Sequence, residues 1–211
     1  VRMSKDRVIV LLKAPLTGFA KRRLAAEVGD RQALAMYRWM VETLSERLRG
    51  DLPIVAYVAP GHAVNDVRDW LGQGWDFREQ CEGDLGARLA HAFSEAADEG
   101  VDKVVVIGSD CPEVSDGLLR SAFWALDDFD AVLGPSIDGG YYLLGCRRFR
   151  SEWFQDIPWS TAEVASVTRS RFGMTQTRCF DLPVLEDVDD LASFERVCQN
   201  LGVSPVLKRH P

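Results

Sequence analysis

Short apolar segments alternate with longer amphipathic segments along almost the whole of this 211-residue chain. The apolar segments RVIVLL, LPIVAYVA and KVVVIG have the length and composition of strands that are buried on both faces. The segments between them carry apolar residues at helical spacing. Because such strands need helices on both sides, the alternation predicts a three-layer α/β/α fold with a mostly parallel central sheet.

Two later segments modify this pattern. DAVLGPS and GYYLLGC are strand-like and are separated by a glycine-rich turn, which predicts some antiparallel pairing and hence a mixed sheet. The chain contains no internal repeat, no linker and no low-complexity segment. A single domain over residues 1–211 is therefore expected.

The helices have recognisable boundaries. The long segment that starts at AKRRL is predicted as one helical stretch that ends at Gly50. Asp84 and Asp190 occupy positions typical of helix N-caps. Ser160 and Glu163 have the spacing of a capping box before the helix that follows them.

The composition excludes several default partners and sites. A net charge of −7 disfavours nucleic acid and anionic lipid surfaces. The five cysteines are scattered and form no CxxC pair, so neither a zinc site nor a disulfide framework is expected, and a cytoplasmic location is predicted. No apolar stretch is long enough to span a membrane, and the apolar part of VRMSKDRVIVLLKAP is shorter than that of a signal peptide.

The first predicted strand leads into the basic loop KAPLTGFAKRRL. In parallel sheets, ligands bind beyond the carboxyl ends of the strands. This loop carries Lys13, Lys21, Arg22 and Arg23 in an otherwise acidic chain, and it leads into a helix. Cations near a helix start favour an anion such as phosphate, although a solvated basic surface is the alternative. The loop has neither the Rossmann fingerprint nor the P-loop pattern.

The strand KVVVIG leads into Ser-Asp-Cys-Pro. Pro112 disfavours helical geometry at Cys111, so Asp110 is expected at the mouth of the sheet. A carboxylate there can bind a hard cation such as Mg²⁺ or Mn²⁺, or cap the following turn. Cys111 has no histidine in motif context, and we expect it to be a small buried residue rather than a nucleophile.

The segment VLEDVDD supplies a second group of acids. In extended backbone, residues two apart face the same way, so Asp187 and Asp189 point together. With Asp110 from another strand exit, they would form an oxygen-rich site for a divalent cation. The alternative is that these acids only cap the last helix.

The glycine-rich turn in GPSIDGGYYLLG is another candidate. Gly139 and Gly140 allow close approach of a ligand, and Asp138 and Tyr141 would face it, whereas an ordinary Asp-Gly hairpin turn is the alternative. Asp138 is the candidate catalytic base. The segment WST, either a simple helix start or the wall of an acceptor pocket, comprises Trp159, Ser160 and Thr161.

Taken together and in this order, these motifs resemble a bacterial glycosyltransferase-like family, the radical-SAM/selenodomain-associated transferases of GT-A (nucleotide-diphospho-sugar transferase) fold. The resemblance extends over nearly the whole chain, with Arg22 in place of a threonine of the family pattern. The matching residues are Lys13, Pro15, Gly18, Lys21, Arg23 and Leu24; Gly83, Asp84, Leu85 and Gly86; Gly108, Asp110 and Pro112; Gly134, Pro135, Asp138, Gly139, Gly140 and Tyr141; Trp159, Ser160 and Thr161; and Asp187 and Asp189.

The resemblance implies a role for each motif. The first loop, with Lys13, Pro15, Gly18, Lys21 and Arg23, would bind phosphates. The segment with Asp84 and Gly86 would lie near the base or ribose. Asp110, with Asp187 or Asp189, would hold Mg²⁺ or Mn²⁺ at the diphosphate. Residues 138–141 and 159–161 would form the pocket for the sugar or for an acceptor of unknown identity.

Two transfer reactions are consistent with these motifs. In glycosyl transfer, a sugar moves from a nucleotide-diphospho-sugar to an acceptor, and we expect this reaction from the resemblance. In nucleotidyl transfer, an NTP reacts with a phosphorylated substrate. Enzymes of that class share a metal between one acid after the central strand and another near the C-terminus, as Asp110 and Asp187 or Asp189 could. A nucleotide-binding module without activity is the third alternative, and the oligomeric state is left open.

Overall fold

The computed structural model describes residues 5–204, so the domain limits expected at residues 1 and 211 lie outside the described range. Within it, no helix combines the length and hydrophobicity needed to cross a membrane. In chain order the elements are β1 (Asp6–Lys13), α1 (Arg22–Val28), α2 (Asp30–Arg47), β2 (Ile54–Ala59), α3 (Val64–Leu71), β3 (Asp76–Glu79), α4 (Leu85–Asp98), β4 (Lys103–Gly108), α5 (Asp116–Asp128), β5 (Ala131–Pro135), β6 (Tyr141–Cys146), α6 (Val164–Met174), β7 (Cys179–Asp181) and α7 (Leu191–Asn200).

The strands form one seven-stranded sheet in the order β3-β2-β1-β4-β6-β5-β7. Strand β6 runs antiparallel to both of its neighbours, β4 and β5. The other neighbouring pairs are parallel. The predicted mixed, mostly parallel sheet and the antiparallel pair around residues 131–146 are therefore confirmed.

The apolar character of the central strands follows from burial on both faces. In β1, Val8, Val10 and Leu12 belong to one buried cluster, and Ile9, between Val8 and Val10, belongs to the other. Helices α2, α5 and α7 contribute to the first cluster, while α4 and α6 contribute to the second. The fold is thus the predicted three-layer α/β/α arrangement.

This topology places several strand ends along one edge of the sheet. Strands β1, β4, β5 and β7 point the same way, and β6 begins where they end. The chain after β7 continues along this edge, where Leu185 bridges to Ser136. The loops that carry the candidate residues therefore lie next to one another.

The first helical region differs from the prediction. Instead of one stretch ending at Gly50, it forms α1 and α2, which are separated at Gly29, and α2 ends at Arg47. Gly29 has φ 83°, a left-handed conformation that interrupts a helix and that glycine adopts at little cost. The sequence carries a signal for this break, since residues 29–32 are Gly-Asp-Arg-Gln and contain no apolar side chain.

The predicted caps of α4 and α7 are confirmed. The Asp84 side chain accepts a hydrogen bond from the backbone N–H of Ala87 at 2.9 Å. The Asp190 side chain accepts from the N–H of Ser193 at 2.8 Å, and the Ser193 side chain completes a capping box.

The capping box predicted from Ser160 and Glu163 is wrong. Helix α6 begins at Val164, with Glu163 as an N-cap whose side chain makes no capping hydrogen bond. Ser160 has φ 66° and lies outside the helix. The N–H of Ala165 donates to the carbonyl of Gly139 at 3.0 Å. The N–H of Glu163, which the predicted capping box assigns to Ser160, donates to Thr161 Oγ1 at 3.3 Å instead.

Candidate functional site

The strand ends surround one cleft of about 560 Å³. It is bounded by the first loop, the exit of β4, the turn between β5 and β6, the segment before α6 and the segment before α7. The candidate residues that line it are Lys13, Lys21, Arg23, Asp110, Asp138, Gly140, Tyr141, Trp159, Ser160, Thr161, Asp187 and Asp189. Among the described residues, the candidates outside this lining are Pro15, Gly18, Asp84, Gly86 and Gly139.

Lys21 lies between two carboxylates in this cleft. Its Nζ atom is 3.1 Å from Asp110 Oδ2 and 3.6 Å from Asp189 Oδ1, and it donates to the carbonyl oxygen of Val188. The Lys21 side chain is only 8 % exposed. The sequence predicted Lys21 among the phosphate ligands, but in the structure its ammonium joins the two acidic segments.

Asp110 faces the cleft with its side chain about 40 % exposed. Loss of water around the carboxyl group would by itself raise its pKa. The Lys21 ammonium outweighs this effect through both its charge and a hydrogen bond, and the pKa of Asp110 lies below its ordinary value. Asp110 is therefore a carboxylate whose negative charge is already balanced in part by Lys21.

Three other carboxylates form a tight group, which we call the three-acid cluster: Asp138, Asp187 and Asp189. One oxygen from each lies within 4.8 Å of the others. Burial, followed by the negative charges of Asp110 and Asp138, raises the pKa of Asp187 to about 7. Burial is the larger cause, and the repulsion from Asp110 and Asp138 that adds to it indicates that the protein's own cations only partly neutralise the cluster.

The three-acid cluster has the donor set that a hard divalent cation requires. Mg²⁺ and Mn²⁺ prefer carboxylate oxygens, and a cation placed among these three would remove the repulsion that raises the pKa of Asp187. The residues present therefore fit the cation that the sequence predicted. The composition of the cluster differs from the prediction, because Asp138 stands where Asp110 was expected.

The turn after β5 holds Asp138 in place. Its Oδ1 atom accepts from the Ser136 hydroxyl at 2.5 Å and from the N–H of Gly140 at 2.8 Å. Gly139 has φ 90°, and a Cβ atom there would lie 2.1 Å from the carbonyl oxygen of Ala162. Glycine at this position thus lets the turn pack directly against the segment before α6.

Backbone hydrogen bonds fix the acidic segment before α7. The N–H of Val188 donates to the carbonyl of Asp110 at 2.9 Å, and the N–H of Ile137 donates to the carbonyl of Leu185 at 3.1 Å. Both bonds run between segments that are distant in sequence. The positions of Asp187 and Asp189 are therefore set by the strand exits on either side of them.

Tyr37 on α2 contributes a buried hydroxyl that sequence reasoning did not assign to the site. Its hydroxyl accepts from the N–H of Lys13 at 3.2 Å, donates to the carbonyl of Lys13 at 2.6 Å and lies 3.2 Å from Ser109 Oγ. Burial raises the pKa of Tyr37 well above its ordinary value, so the hydroxyl stays protonated. A buried tyrosine hydroxyl needs a hydrogen-bond partner, so a tyrosine on the apolar face of a predicted helix was the sequence signal that could have indicated this contact.

The basic groups of the first loop differ in their contacts. The Arg23 guanidinium contacts Asp189 Oδ2 at 2.9 Å, yet its side chain is 75 % exposed. Lys13 and Arg22 are exposed residues that line the same cleft. These three side chains can reach an anion in the cleft, whereas the ammonium of Lys21 is held by acids.

The start of α4 meets the segment before α6. A Cβ atom on Gly86 would lie 2.9 Å from the indole ring of Trp159, so the absence of a side chain at Gly86 makes room for this ring. Sequence reasoning did not assign the neighbouring residues to the site, because nothing in their spacing marks them. They line the same cleft as Trp159: Phe19, Gln80, Leu85 and Arg88.

Tyr141 and Thr161 have distinct local environments. The Tyr141 hydroxyl is buried, and burial raises its pKa well above the ordinary value, a shift that an interaction with Thr168 partly opposes. Thr161 Oγ1 donates to the carbonyl of Pro158 at 2.8 Å and accepts from the N–H of Glu163 at 3.3 Å. Thr161 therefore shapes the turn before α6, while Tyr141 contributes wall surface to the cleft.

Cys111 lies next to the site without taking part in it. It is fully buried, which confirms the expectation of a small interior residue. Burial, followed by the charge of Asp110, raises the pKa of the thiol far above its ordinary value. Because the thiolate is the reactive form, Cys111 is inert as a nucleophile at neutral pH.

Comparison with known proteins gives one family. Residues 41–161 match the model of the family described as "Uncharacterized protein conserved in bacteria (DUF2064)". Among curated proteins, no sequence matches the chain.

Solved structures share the fold. A protein from Desulfovibrio desulfuricans G20, provisionally named a nucleotide-diphospho-sugar transferase, is 35 % identical, with a TM-score of 0.84; the match covers 89 % of this chain and 84 % of that protein. The 4-diphosphocytidyl-2C-methyl-D-erythritol synthase of Anaerococcus prevotii DSM 20548 has a TM-score of 0.61 at 11 % identity, over 94 % of this chain and 96 % of that protein. A CMP:2-keto-3-deoxy-manno-octonic acid synthetase complexed with CTP has a TM-score of 0.59 at 13 % identity, over 94 % and 99 %.

Proposed function

The chain belongs to the bacterial family DUF2064, and we propose that it is a divalent-cation-dependent transferase that moves a sugar from a nucleotide-diphospho-sugar to an acceptor. The observation that carries this proposal is the meeting of basic and acidic groups in one cleft. Lys13 and Arg23 line the same cleft as Asp138, Asp187 and Asp189. A diphosphate with a bound cation presents the complementary charges.

The basic groups of the first loop bind the donor's diphosphate. Lys13, Arg22 and Arg23 line the cleft on the side of the first loop, and cations placed there attract phosphate oxygens. Tyr37 holds the backbone of Lys13 in place. The loop thus orients the leaving group.

The three-acid cluster holds the cation. Bound there, a divalent cation supplies Lewis-acid stabilisation of the negative charge on the departing diphosphate. Asp187, with its raised pKa, must lose its proton before it can bind a metal. Asp189 links the cluster to Arg23 and therefore to the phosphate side of the cleft.

The acceptor enters beside the turn after β5. Its hydroxyl oxygen attacks the anomeric carbon of the sugar, the bond from that carbon to the diphosphate breaks, and the hydroxyl proton passes to a carboxylate. Asp138 is the most exposed member of the three-acid cluster, and its orientation is fixed by Ser136 and Gly140. We assign the role of base to Asp138, through the carboxylate oxygen that does not hold the cation.

The nucleobase and the sugar occupy the side of the cleft formed by Trp159, which packs on Gly86. The indole of Trp159 packs on Gly86 and offers a flat apolar wall, and Gln80 and Arg88 lie nearby with polar groups. An aromatic wall with a few polar groups is the usual composition of a small-molecule site. Tyr141, Ser160 and Thr161 complete this wall toward the acceptor.

Nucleotidyl transfer is the second candidate, and one observation favours it. An acid at the exit of β4, Asp110, meets acids near the C-terminal end, Asp187 and Asp189, in one cleft. This is the arrangement that the sequence analysis connected with nucleotidyltransferases. In that reaction a phosphorylated substrate attacks the α-phosphorus of an NTP and pyrophosphate leaves.

The relationship with the Desulfovibrio protein supports sugar transfer, because that protein carries a nucleotide-diphospho-sugar transferase name and is 35 % identical. The synthase and the synthetase show a shared fold alone, at 11 % and 13 % identity. The association with radical-SAM or selenium proteins, which the sequence resemblance implied, stays a prediction.

Thermal denaturation tests the proposal. Wild type is scanned with nucleotide-diphospho-sugars and with NTPs, each with and without Mg²⁺ or Mn²⁺. A nucleotide-diphospho-sugar should raise Tm only when the cation is present. Asp187→Asn should lose this stabilisation, whereas Asp181→Asn, an exposed acid on β7, should keep it.

The released product then separates the two reactions. Glycosyl transfer releases a nucleoside diphosphate, and nucleotidyl transfer releases pyrophosphate. Stabilisation by NTPs together with pyrophosphate release would replace sugar transfer by the second candidate. A Tm unchanged by every nucleotide would contradict both.

A further inference from the structure

The Lys21 side chain is unusual because its ammonium group is almost fully enclosed. It is 8 % exposed and contacts three acceptors: Asp110 Oδ2, Asp189 Oδ1 and the carbonyl oxygen of Val188. Asp110 and the Val188 carbonyl accept hydrogen bonds from two of its three N–H donors, and Asp189 Oδ1 lies at ion-pair distance, 3.6 Å. Lys21 is therefore held by protein groups on this side of the cleft.

The backbone at Lys21 is adapted to this contact. Lys21 has φ 53° and ψ 53°, a left-handed conformation that residues other than glycine rarely adopt. It lies immediately before α1, and from there its side chain reaches the acids. Strain of this kind persists where surrounding contacts determine it, and it is often found at functional sites.

The charges in this part of the cleft do not balance. Four carboxylates lie there, those of Asp110 and of the three-acid cluster, and in the described part of the chain Lys21 and Arg23 are the cations that contact them. With all four carboxylates ionised, as they are above the pKa of Asp187, the balance is two negative charges. One divalent cation cancels this excess, and a second would leave a positive excess.

Asp110 and Asp189 both contact one cationic group, as two carboxylates that share a metal ion do. Here that group is the Lys21 ammonium. Two-cation sites for phosphoryl chemistry place their ions about 3.5–4 Å apart between shared carboxylates. Asp189 is shared in this way, because it belongs to the three-acid cluster and also contacts Lys21.

We propose that the Lys21 ammonium occupies the place of a second divalent cation, between Asp110 and Asp189, so that the cleft accepts one cation instead of two. The inference rests on the proposed function only in taking the three-acid cluster as the site of the first cation. It makes Lys21 a positioning residue that holds Asp110 and Asp189 together, and it leaves phosphate binding to the exposed basic groups of the first loop.

Counting bound Mn²⁺ tests this inference without any measurement of activity. The full chain is titrated with Mn²⁺ alone at pH 8, by calorimetry and by electron paramagnetic resonance of the free ion. Wild type should bind one Mn²⁺ per chain. Lys21→Met removes the charge with a side chain of similar length and should bind two. Lys21→Arg keeps the charge and should bind one.

Lys21→Gln is the second neutral variant, in case Lys21→Met does not fold, and it should also bind two; circular dichroism and Tm identify the folded variants. Two Mn²⁺ per wild-type chain, or the same count in the wild type and in a folded neutral variant, would overturn the inference. The inference depends on the difference in Mn²⁺ count between wild type and the neutral variants, whereas the proposed function depends on the count in wild type. If wild type bound no Mn²⁺ and Lys21→Met bound one, the result would contradict the three-acid site and support the role of Lys21.

Discussion

The backbone N–H of Val188 donates to the carbonyl oxygen of Asp110 at 2.9 Å, which ties the acidic segment before α7 to the exit of β4. Because Asp187 and Asp189 flank Val188, this single bond brings both of their side chains to the edge of the sheet where Asp110 lies. The backbone that carries these acids is thus set by main-chain hydrogen bonds, so replacing one acid should leave the backbone at the others in place.

Asp187→Asn should stabilise the cation-free protein above neutral pH. The pKa of Asp187 is about 7 in the folded state against an ordinary 3.8, so folding favours the protonated form. This contribution is complete below the ordinary pKa and is lost as pH rises through about 7. The amide cannot ionise, so the variant should be more stable than wild type at pH 8 by about 1–2 kcal/mol, a figure reduced for partial exposure.

Urea unfolding at pH 5 and pH 8 checks this prediction. The stability difference between Asp187→Asn and wild type should be larger at pH 8, and Mg²⁺ should stabilise wild type but not the variant. Asp181→Asn provides the control, since it changes an exposed acid on β7. A variant less stable than wild type at pH 8 without metal would contradict the strain that we assign to this carboxylate.

Gly86→Ala should weaken nucleotide binding with little loss of stability. The added methyl group would meet the Trp159 indole at 2.9 Å and displace it from the cleft wall. Gly117→Ala is a matched control, because Gly117 is also the second residue of a helix and its Cβ would meet only Ser115 Oγ, at 3.9 Å. Kd by calorimetry should rise about tenfold for Gly86→Ala alone; equal Kd values would exclude Trp159 from the binding wall.

The sequence was informative wherever backbone periodicity decides the structure. Strands such as KVVVIG were recognisable because burial on both faces requires continuous apolar residues. The meeting of Asp110 with Asp187 and Asp189 could be anticipated from one rule, that parallel strands end at the same edge. The break at Gly29 was also marked, by residues 29–32 without an apolar side chain, but the prediction ran one helix through it.

The direction of long side chains and the positions of strained backbone could not be predicted from the sequence. The spacing of the first loop marks Lys21 as a cation but does not indicate whether its ammonium turns toward solvent or toward Asp110. Its left-handed backbone has no signature in a residue other than glycine. Asp138 was assigned to the substrate side, and its contact with Asp187 and Asp189 depends on how the turn after β5 packs against Ala162.

Gly139→Ala should destabilise the protein and disturb the cleft. Gly139 has φ 90°, which is unfavourable for alanine, and the added Cβ atom would lie 2.1 Å from the carbonyl oxygen of Ala162. The turn that carries Asp138 must therefore shift. Gly100→Ala is the matched control, because Gly100 has φ 71° but open space around it. We expect a loss of about 2–4 kcal/mol for Gly139→Ala and about 1 kcal/mol for Gly100→Ala. Equal losses in chemical denaturation would show that the contact with Ala162 is unimportant.

Asp190→Ala should reduce stability while leaving cation binding intact. Asp190 caps α7 through the N–H of Ser193 at 2.8 Å, and loss of such a cap costs about 1 kcal/mol. Its neighbour Asp189 belongs to the three-acid cluster, so Asp189→Ala should abolish Mn²⁺ binding instead. The pair separates capping from metal binding, the two roles that the sequence left open for this segment. Loss of Mn²⁺ binding in Asp190→Ala would show that Asp190 serves both roles.

Tyr37→Phe should weaken nucleotide binding through the position of Lys13. The lost hydroxyl holds both backbone groups of Lys13 and contacts Ser109, so the first loop should become less ordered at the exit of β1. Tyr57→Phe is the matched control, because it removes another partly buried hydroxyl, which donates to Glu95 at 2.9 Å. Each variant should lose about 1–2 kcal/mol of stability. Only Tyr37→Phe should raise the Kd for a nucleoside diphosphate, by about tenfold, while the Kd for the nucleoside alone stays the same. A parallel rise for the nucleoside would show that Tyr37 supports the fold of the cleft generally and not the phosphate loop.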